Sequence, residues 1–312
     1  MIKSTLLGLA GAVLVGGMAV AAEPDSCKAV RFSDVGWTDI TATTALTSAV
    51  LDGLGYQTSA EILSVPVTYQ SLKNGDIDVF LGNWMPTMEA DIAPFKADGS
   101  VETVRANLEG AKYTLAVPKY LADQGLKDYA DIAKFKDQLK GQIYGIEPGN
   151  DGNRLIQKMI DEDKFGLGGF ELVESSEQGM LAQVERAGRN QGAIVFLGWE
   201  PHPMNTRFQL AYLTGGDEVF GPNFGGATVF TNVRKGYLQE CPNVGKLLQN
   251  LVFALPMESE VMGKILDDGM EAKEAATAWL KANPAVLDGW LAGVTTFDGG
   301  DGLAAVKGQL GS

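Results

Sequence analysis

Histidine occurs once and cysteine twice in the 312 residues. One histidine excludes a multi-histidine metal centre, and two cysteines exclude a zinc site of four thiolates. Positive charge is scarce: 25 Lys and Arg stand against 39 Asp and Glu, a net charge of −14. That balance argues against nucleic acid or an anionic membrane face as partner, because both require basic surface. No G-x-S-x-G nucleophile elbow occurs, so the common signature of a serine hydrolase is missing. Beyond the N-terminal segment no apolar run reaches the ~20 residues of a membrane span. What remains is ordinary globular composition, 45% hydrophobic and 21% charged, at a length that suits one to two domains of ~150 residues.

Residues 1–22 read as a secretory signal. Lys3 supplies the positive start, 6–15 form a short apolar run, and Ala19-Val20-Ala21 is a small-residue cleavage pattern. A membrane anchor is the rival reading, but the run is short for it. Cleavage before Ala22 or Glu23 would remove the one charge of Lys3 and take the net charge from −14 to −15. Export to an oxidising compartment favours pairing Cys27 with Cys241 over two buried free thiols. In the chain-entropy picture so long a loop contributes roughly 5 kcal/mol. Pairing would also bring the chain, late in its course, back to its first domain.

The mature chain opens with alternating elements: strand 28–34, helix from Thr38, strand 62–65 ended by Pro66, helix 67–73 closed by Asn74-Gly75, and strand 78–81. A second alternating block follows, with strands 113–117, 142–146, 170–173, 193–197 and 210–213, and helices 126–139, 154–160 and 178–187. One more strand, 227–230, precedes helices 244–253, 258–266, 272–281 and 284–291. The Gly-rich last twenty or so residues read as poorly ordered. The pattern predicts an α/β protein of two lobes, the second inserted in the first, with two strands crossing between them. The predicted limits are 23–110 plus 216–312 for the first lobe and 111–215 for the second. Ligands of such sheets lie beyond the carboxyl ends of strands, which here means the cleft.

The residues at those strand ends are distinctive. Trp37-Thr38-Asp39 follows the first strand, Gly82-Asn83-Trp84-Met85-Pro86 the strand 78–81, and Gly198-Trp199-Glu200-Pro201 the strand 193–197. Tyr113 precedes an apolar strand core, and Glu147-Pro148-Gly149-Asn150-Asp151 follows the strand 142–146. A single tryptophan at such a place is ordinary core. Three in equivalent places, all in Gly- or Pro-containing loops, point to a shared pocket. Trp279 and Trp290 lie on helices among apolar neighbours and read as core. Rings converging in a cleft suit a sugar or a quaternary ammonium, whose methylated cation cannot donate hydrogen bonds and is held by ring faces. Asp39 is the available countercharge, with N-capping as its plain alternative. Asn150 reads as a helix cap that could also bond a ligand hydroxyl. Glu147, Asp151 and Glu200 read as surface or capping groups, and His202, between two prolines, as a loop residue.

These motifs (GWTDI 36–40, GNWMP 82–86, AKYTLAVP 111–118, GIEPGNDGN 145–153 and FLGWEPHPMN 196–205) resemble the substrate-binding proteins of betaine and choline ABC importers, and within them the choline binders. The resemblance covers Cys27 to about Gly293. It implies a type II periplasmic-binding-protein fold with hinge closure and an aromatic box of Trp37, Trp84, Tyr113 and Trp199. It further implies that Asp39 faces the ammonium, Asn150 binds the hydroxyl, and Cys27 and Cys241 form a disulfide. Betaine's carboxylate would want a cation in the pocket. The motifs hold Asp39 and one basic residue, Lys112, which strand alternation turns away from the face of Tyr113. The choice falls on choline. The expected protein is a periplasmic, monomeric receptor that feeds an ABC permease, without catalysis, cofactor, metal or nucleic acid. Its rivals are a glycine betaine or carnitine receptor of the same fold, a secreted enzyme acting on choline esters, and the binding domain of a tethered sensor.

Overall fold

The computed structural model describes residues 23–311, so the expected signal segment 1–22 lies outside the described residues. Nine strands form one curled sheet: β1 (Ala29–Asp34), β2 (Gln57–Ile62), β3 (Val79–Met85), β4 (Val101–Pro118), β5 (Gln142–Tyr144), β6 (Glu171–Val173), β7 (Phe196–Glu200), β8 (Leu210–Tyr212) and β9 (Gly226–Arg234). Their order is β2-β1-β3-β9-β4-β7-β5-β6, with β8 against β4. Each flank is parallel, β2-β1-β3 on one side and β7-β5-β6 on the other. Helices α1 (Thr38–Gly53) and α2 (Val65–Asn74) connect the first three strands, as parallel pairing requires. Antiparallel β9 and β4 join the flanks. β4 pairs with β9 along Val101 to Lys112 and then with β7 along Lys112 to Ala116.

The long β4 departs from expectation. Only 113–117 reads as a strand in sequence, because the earlier half, VETVRANLEG, mixes polar and apolar residues without clean alternation. Three register shifts against β9 break the period there. The predicted lobe boundary at 110/111 thus falls inside one continuous strand. Other boundaries also move, among them the strand expected at 193–197, which is Phe196–Glu200 and so contains Trp199. The strand expected at 62–65 is Gln57–Ile62, a mostly exposed edge strand without an apolar face to betray it. Pro66 begins a helix instead of ending a strand, because its fixed φ suits the first turn. The segment 126–139 is a 3-10 helix, Tyr129–Phe135, and one α-turn, Lys136–Leu139, in place of a continuous helix.

The carboxyl end corrects the expectation of disorder. Asp301 caps a helix, Gly302–Leu310, by accepting the Ala304 N–H at 3.0 Å. Val306 and Leu310 are buried, and Gly53 of α1 meets this helix so closely that a Cβ there would lie 3.0 Å from Val306 Cγ2. The glycines around 299–302 make the turn and the close approach. Cys27 and Cys241 form the disulfide, Cα to Cα 5.5 Å across 214 residues. Beside it, Glu23 accepts from the Val244 N–H at 3.1 Å and from the Tyr56 hydroxyl at 2.7 Å, so the start of the described chain is fastened to the helix Pro242–Asn250. Trp279 and Trp290 are core, as expected, with indole N–H groups donating to Glu260 and to the Val252 carbonyl.

Candidate functional site

Trp37, Trp84, Tyr113 and Trp199 line one cavity together with Asp39 and Ile146. The space they border, its opening to solvent included, is about 260 Å³, and no basic residue lines it. All four aromatic residues are buried. Tyr113 is the shared neighbour, with ring centroids 6.0 Å from Trp84 and 6.3 Å from Trp199 in edge-on geometry.

Local sequence explains each position. β1 ends at Asp34, which accepts the Gly36 N–H at 2.7 Å and the Thr41 hydroxyl at 2.6 Å. Gly36, at φ +80°, turns the chain so that Trp37 stands at the N-cap of α1. Trp84 is the penultimate residue of β3 and Trp199 of β7, and each strand runs into a cis proline, Met85–Pro86 and Glu200–Pro201. Tyr113 lies directly opposite Trp199 in the β4–β7 ladder. Its hydroxyl donates to Asn150 Oδ1 at 2.9 Å. Gly152 leaves room for it, since a Cβ there would fall 2.1 Å from that oxygen.

Asp39 lies in the first turn of α1, two residues beyond the N-cap Trp37. The positive helix end favours its carboxylate. Its Oδ2 accepts the Trp84 indole N–H at 3.1 Å, whereas Oδ1 is buried with no partner. Burial pushes its pKa up to about 8, and the negative charge of Glu177 adds to the rise. Glu258, buried on the helix Leu255–Leu266, is held well above the usual carboxyl range by burial and by Asp39.

Asn150 does not reach the cavity wall. It caps the helix Asp151–Asp161, with Oδ1 accepting both the Asn153 N–H and the Tyr113 hydroxyl, so it stands behind the ring. Lys112 also stays off the wall: its ammonium lies 3.2 Å from Glu200 Oε2 and 5.8 Å from the Tyr212 ring centre. Glu200 is the partly exposed surface group expected, and it pairs with Lys112.

Three polar residues are corrected. Glu147 is half-buried and accepts the Trp37 indole N–H at 2.9 Å, and burial raises its pKa to about 7. Asp151 is fully buried, and burial raises it to about 6. His202 is buried too: its Nε2 lies 3.3 Å from Glu177 Oε1 and its ring packs edge-on at 5.0 Å from Trp199. Each sits where the flanks of the sheet face one another, a burial that a loop position in the chain does not reveal. Glu177 and Ile146 carry no sequence signal of their own; both are placed by the meeting of elements distant in the chain.

The comparisons with known proteins agree with this geometry. Residues 28–282 match the family model for the substrate-binding domain of ABC-type glycine betaine transport systems. The chain belongs to that family. Within it, a solved ABC-transporter choline-binding protein in complex with choline is 69% identical, with a TM-score of 0.91, over 92% of this chain and 100% of that one. An ABC-transporter choline-binding protein in an unliganded semi-closed conformation is 68% identical, with a TM-score of 0.85, over the same shares. The glycine betaine/carnitine transport binding protein GbuC of Listeria monocytogenes is 31% identical over 163 residues, 52% of this chain and 53% of that protein. The sheet is thus that of a periplasmic-binding-protein fold, and the family's relatives are substrate-binding components of transporters. Among the described residues no helix is long and apolar enough to cross a membrane.

Proposed function

We propose that this chain is an exported receptor that captures choline between two lobes, 23–110 with 216–312 and 111–215, and hands it to an ABC permease without chemical change. The observation that carries this reading is the composition of the cavity wall: four rings, one carboxylate with an unpartnered oxygen, and no cation. Each desolvated ring contributes up to ~2 kcal/mol to a cation, so four supply at most ~8 kcal/mol gross. Micromolar binding needs about −8.2 kcal/mol net of the cost of association. Rings alone fall short. Asp39 and the burial of three methyl groups against Ile146 and the indole faces supply the difference.

The same wall disfavours glycine betaine. Its carboxylate would enter a site whose wall carries Asp39, with Glu147 behind the Trp37 indole and Lys112 held away by Glu200. Asn150 serves the ligand by holding Tyr113, and it is the nearby amide to which a ligand hydroxyl would turn. The family model and GbuC bear the betaine name, so betaine or carnitine is the second reading. Titrating choline, glycine betaine and carnitine side by side into ligand-free protein, with tryptophan fluorescence and calorimetry as readouts, separates them. Betaine binding tighter than choline would overturn the assignment, and turnover of acetylcholine or phosphocholine would restore an enzymatic one. Mass analysis of the intact exported protein tests removal of 1–22.

A further inference from the structure

Helix α1 begins without a cap of its own. Trp37 occupies the N-cap and offers no capping oxygen, so the first N–H groups need partners from elsewhere. The partner comes from 139 residues away. Glu177, at the start of the helix Glu177–Asn190, accepts the Thr38 N–H through Oε2 at 2.9 Å and the Thr38 hydroxyl through Oε1. His202 completes the arrangement. Its Nδ1 accepts the Met204 N–H at 2.9 Å, which leaves the ring proton on Nε2, 3.3 Å from the same Oε1. All three residues are buried. Thr38 stands between the wall residues Trp37 and Asp39, and His202 packs on the wall residue Trp199.

We infer that Glu177 is the closure latch of this receptor, a positioning residue that caps α1 from the opposite lobe and is itself held by His202. The inference rests on the two-lobe reading above. Separation of the lobes would strip the Thr38 N–H of its acceptor and the carboxylate of two donors in one step. Other contacts also join the proposed lobes, among them a buried hydrogen bond between Asp151 and the Thr87 side chain that leaves α1 untouched. Trp37 to Glu147 involves the cavity wall itself, and Arg154 to Asp91 is a pair whose arginine is 39% exposed, where an ion pair counts for little. Glu177 lines no part of the cavity, although its charge reaches Asp39, so its loss should act on closure while leaving the shape of the cavity unchanged.

The test uses the full mature chain with one dye on each lobe, attached by non-cysteine chemistry, and single-molecule energy transfer to count closed and open molecules. Glu177→Ala should lower the closed-to-open ratio of ligand-free protein by about tenfold, the scale of a hydrogen bond to a charged group. It should also speed choline release by a similar factor while the association rate stays within about twofold, since interface changes act mainly on release. Glu177→Gln, which keeps an oxygen for the Thr38 N–H, should recover part of the loss. Thr38→Val, which removes only the hydroxyl, should shift the ratio in the same direction by less. An unchanged ratio in Glu177→Ala, or a fall in ligand-free melting temperature with no change in ratio, would overturn the latch. A ratio that falls in the variant while the wild type ignores choline would keep the latch and remove the choline reading.

Discussion

Capture of a cation in this cavity should eject a proton. In the empty cavity Asp39 titrates at about 8, because it is buried and faces Glu177. At pH 7 a carboxyl with that pKa is protonated in roughly nine molecules of ten. A quaternary ammonium against Oδ1 stabilises the ionised form and returns the group toward the ordinary carboxylate value of about 4. Binding at pH 7 therefore releases close to ~0.9 proton per ligand. The sign follows: the free protein holds the proton more tightly than the complex, so affinity is full above pH ~8 and is lost as pH falls. Between pH 8 and 6 the dissociation constant should rise about tenfold per unit, roughly a hundredfold in all against the plateau. Calorimetry in buffers of different ionisation enthalpy counts the proton directly. Asp39→Asn keeps an acceptor for the Trp84 indole but cannot titrate, so the release should vanish and the pH profile flatten. Tight choline binding with no proton release and no pH dependence from 6 to 9 would show that Asp39 is already ionised in the empty cavity. Release that persists in Asp39→Asn would move the proton to Glu147, which burial places at about 7.

Further expectations follow from the same structure. Trp84→Ala and Trp199→Ala should each cost about 2 kcal/mol or more in choline affinity by calorimetry, as buried aromatic anchors do; unchanged affinity would remove the residue from the site. Lys112→Ala should leave the preference between choline and betaine unmoved, because the ammonium is spent on Glu200 and Tyr212; a gain of choline affinity of about tenfold or more would place that charge in the pocket after all. Replacing Cys27 and Cys241 together by serine should lower unfolding free energy by about 5 kcal/mol in denaturant titrations. Ligand-free protein should melt higher at pH 5.5 than at 8.5. Asp39, Asp151 and Glu147 have raised folded-state values, so the folded chain holds protons that the unfolded chain releases between about 4 and 8, and stability falls as pH rises through that window.

Much of this protein was legible before folding. Gly and Pro around Trp37, Trp84 and Trp199, each just past an apolar run, marked strand ends, and strand ends of α/β sheets are where ligands lie. Alternation along β4 separated Tyr113 from Lys112, and two cysteines in a chain that reads as exported suggested a bond that the structure contains. These are local signals: period, turn chemistry and residue type. Other features depend on what packs against what. The bulged first half of β4, the exposed edge strand β2 and the ordered helix Gly302–Leu310 owe their form to partners far away in the chain. So do the burial of Glu147, Asp151 and His202 and the capping of α1 by Glu177. Residue order alone determined that rings and a carboxylate stand at strand ends with no cation beside them. Only the tertiary structure decided that they converge, that Asn150 stands behind Tyr113, and that burial raises the pKa of a carboxyl at the cavity, because desolvation and long-range contact arise when distant segments exclude water together.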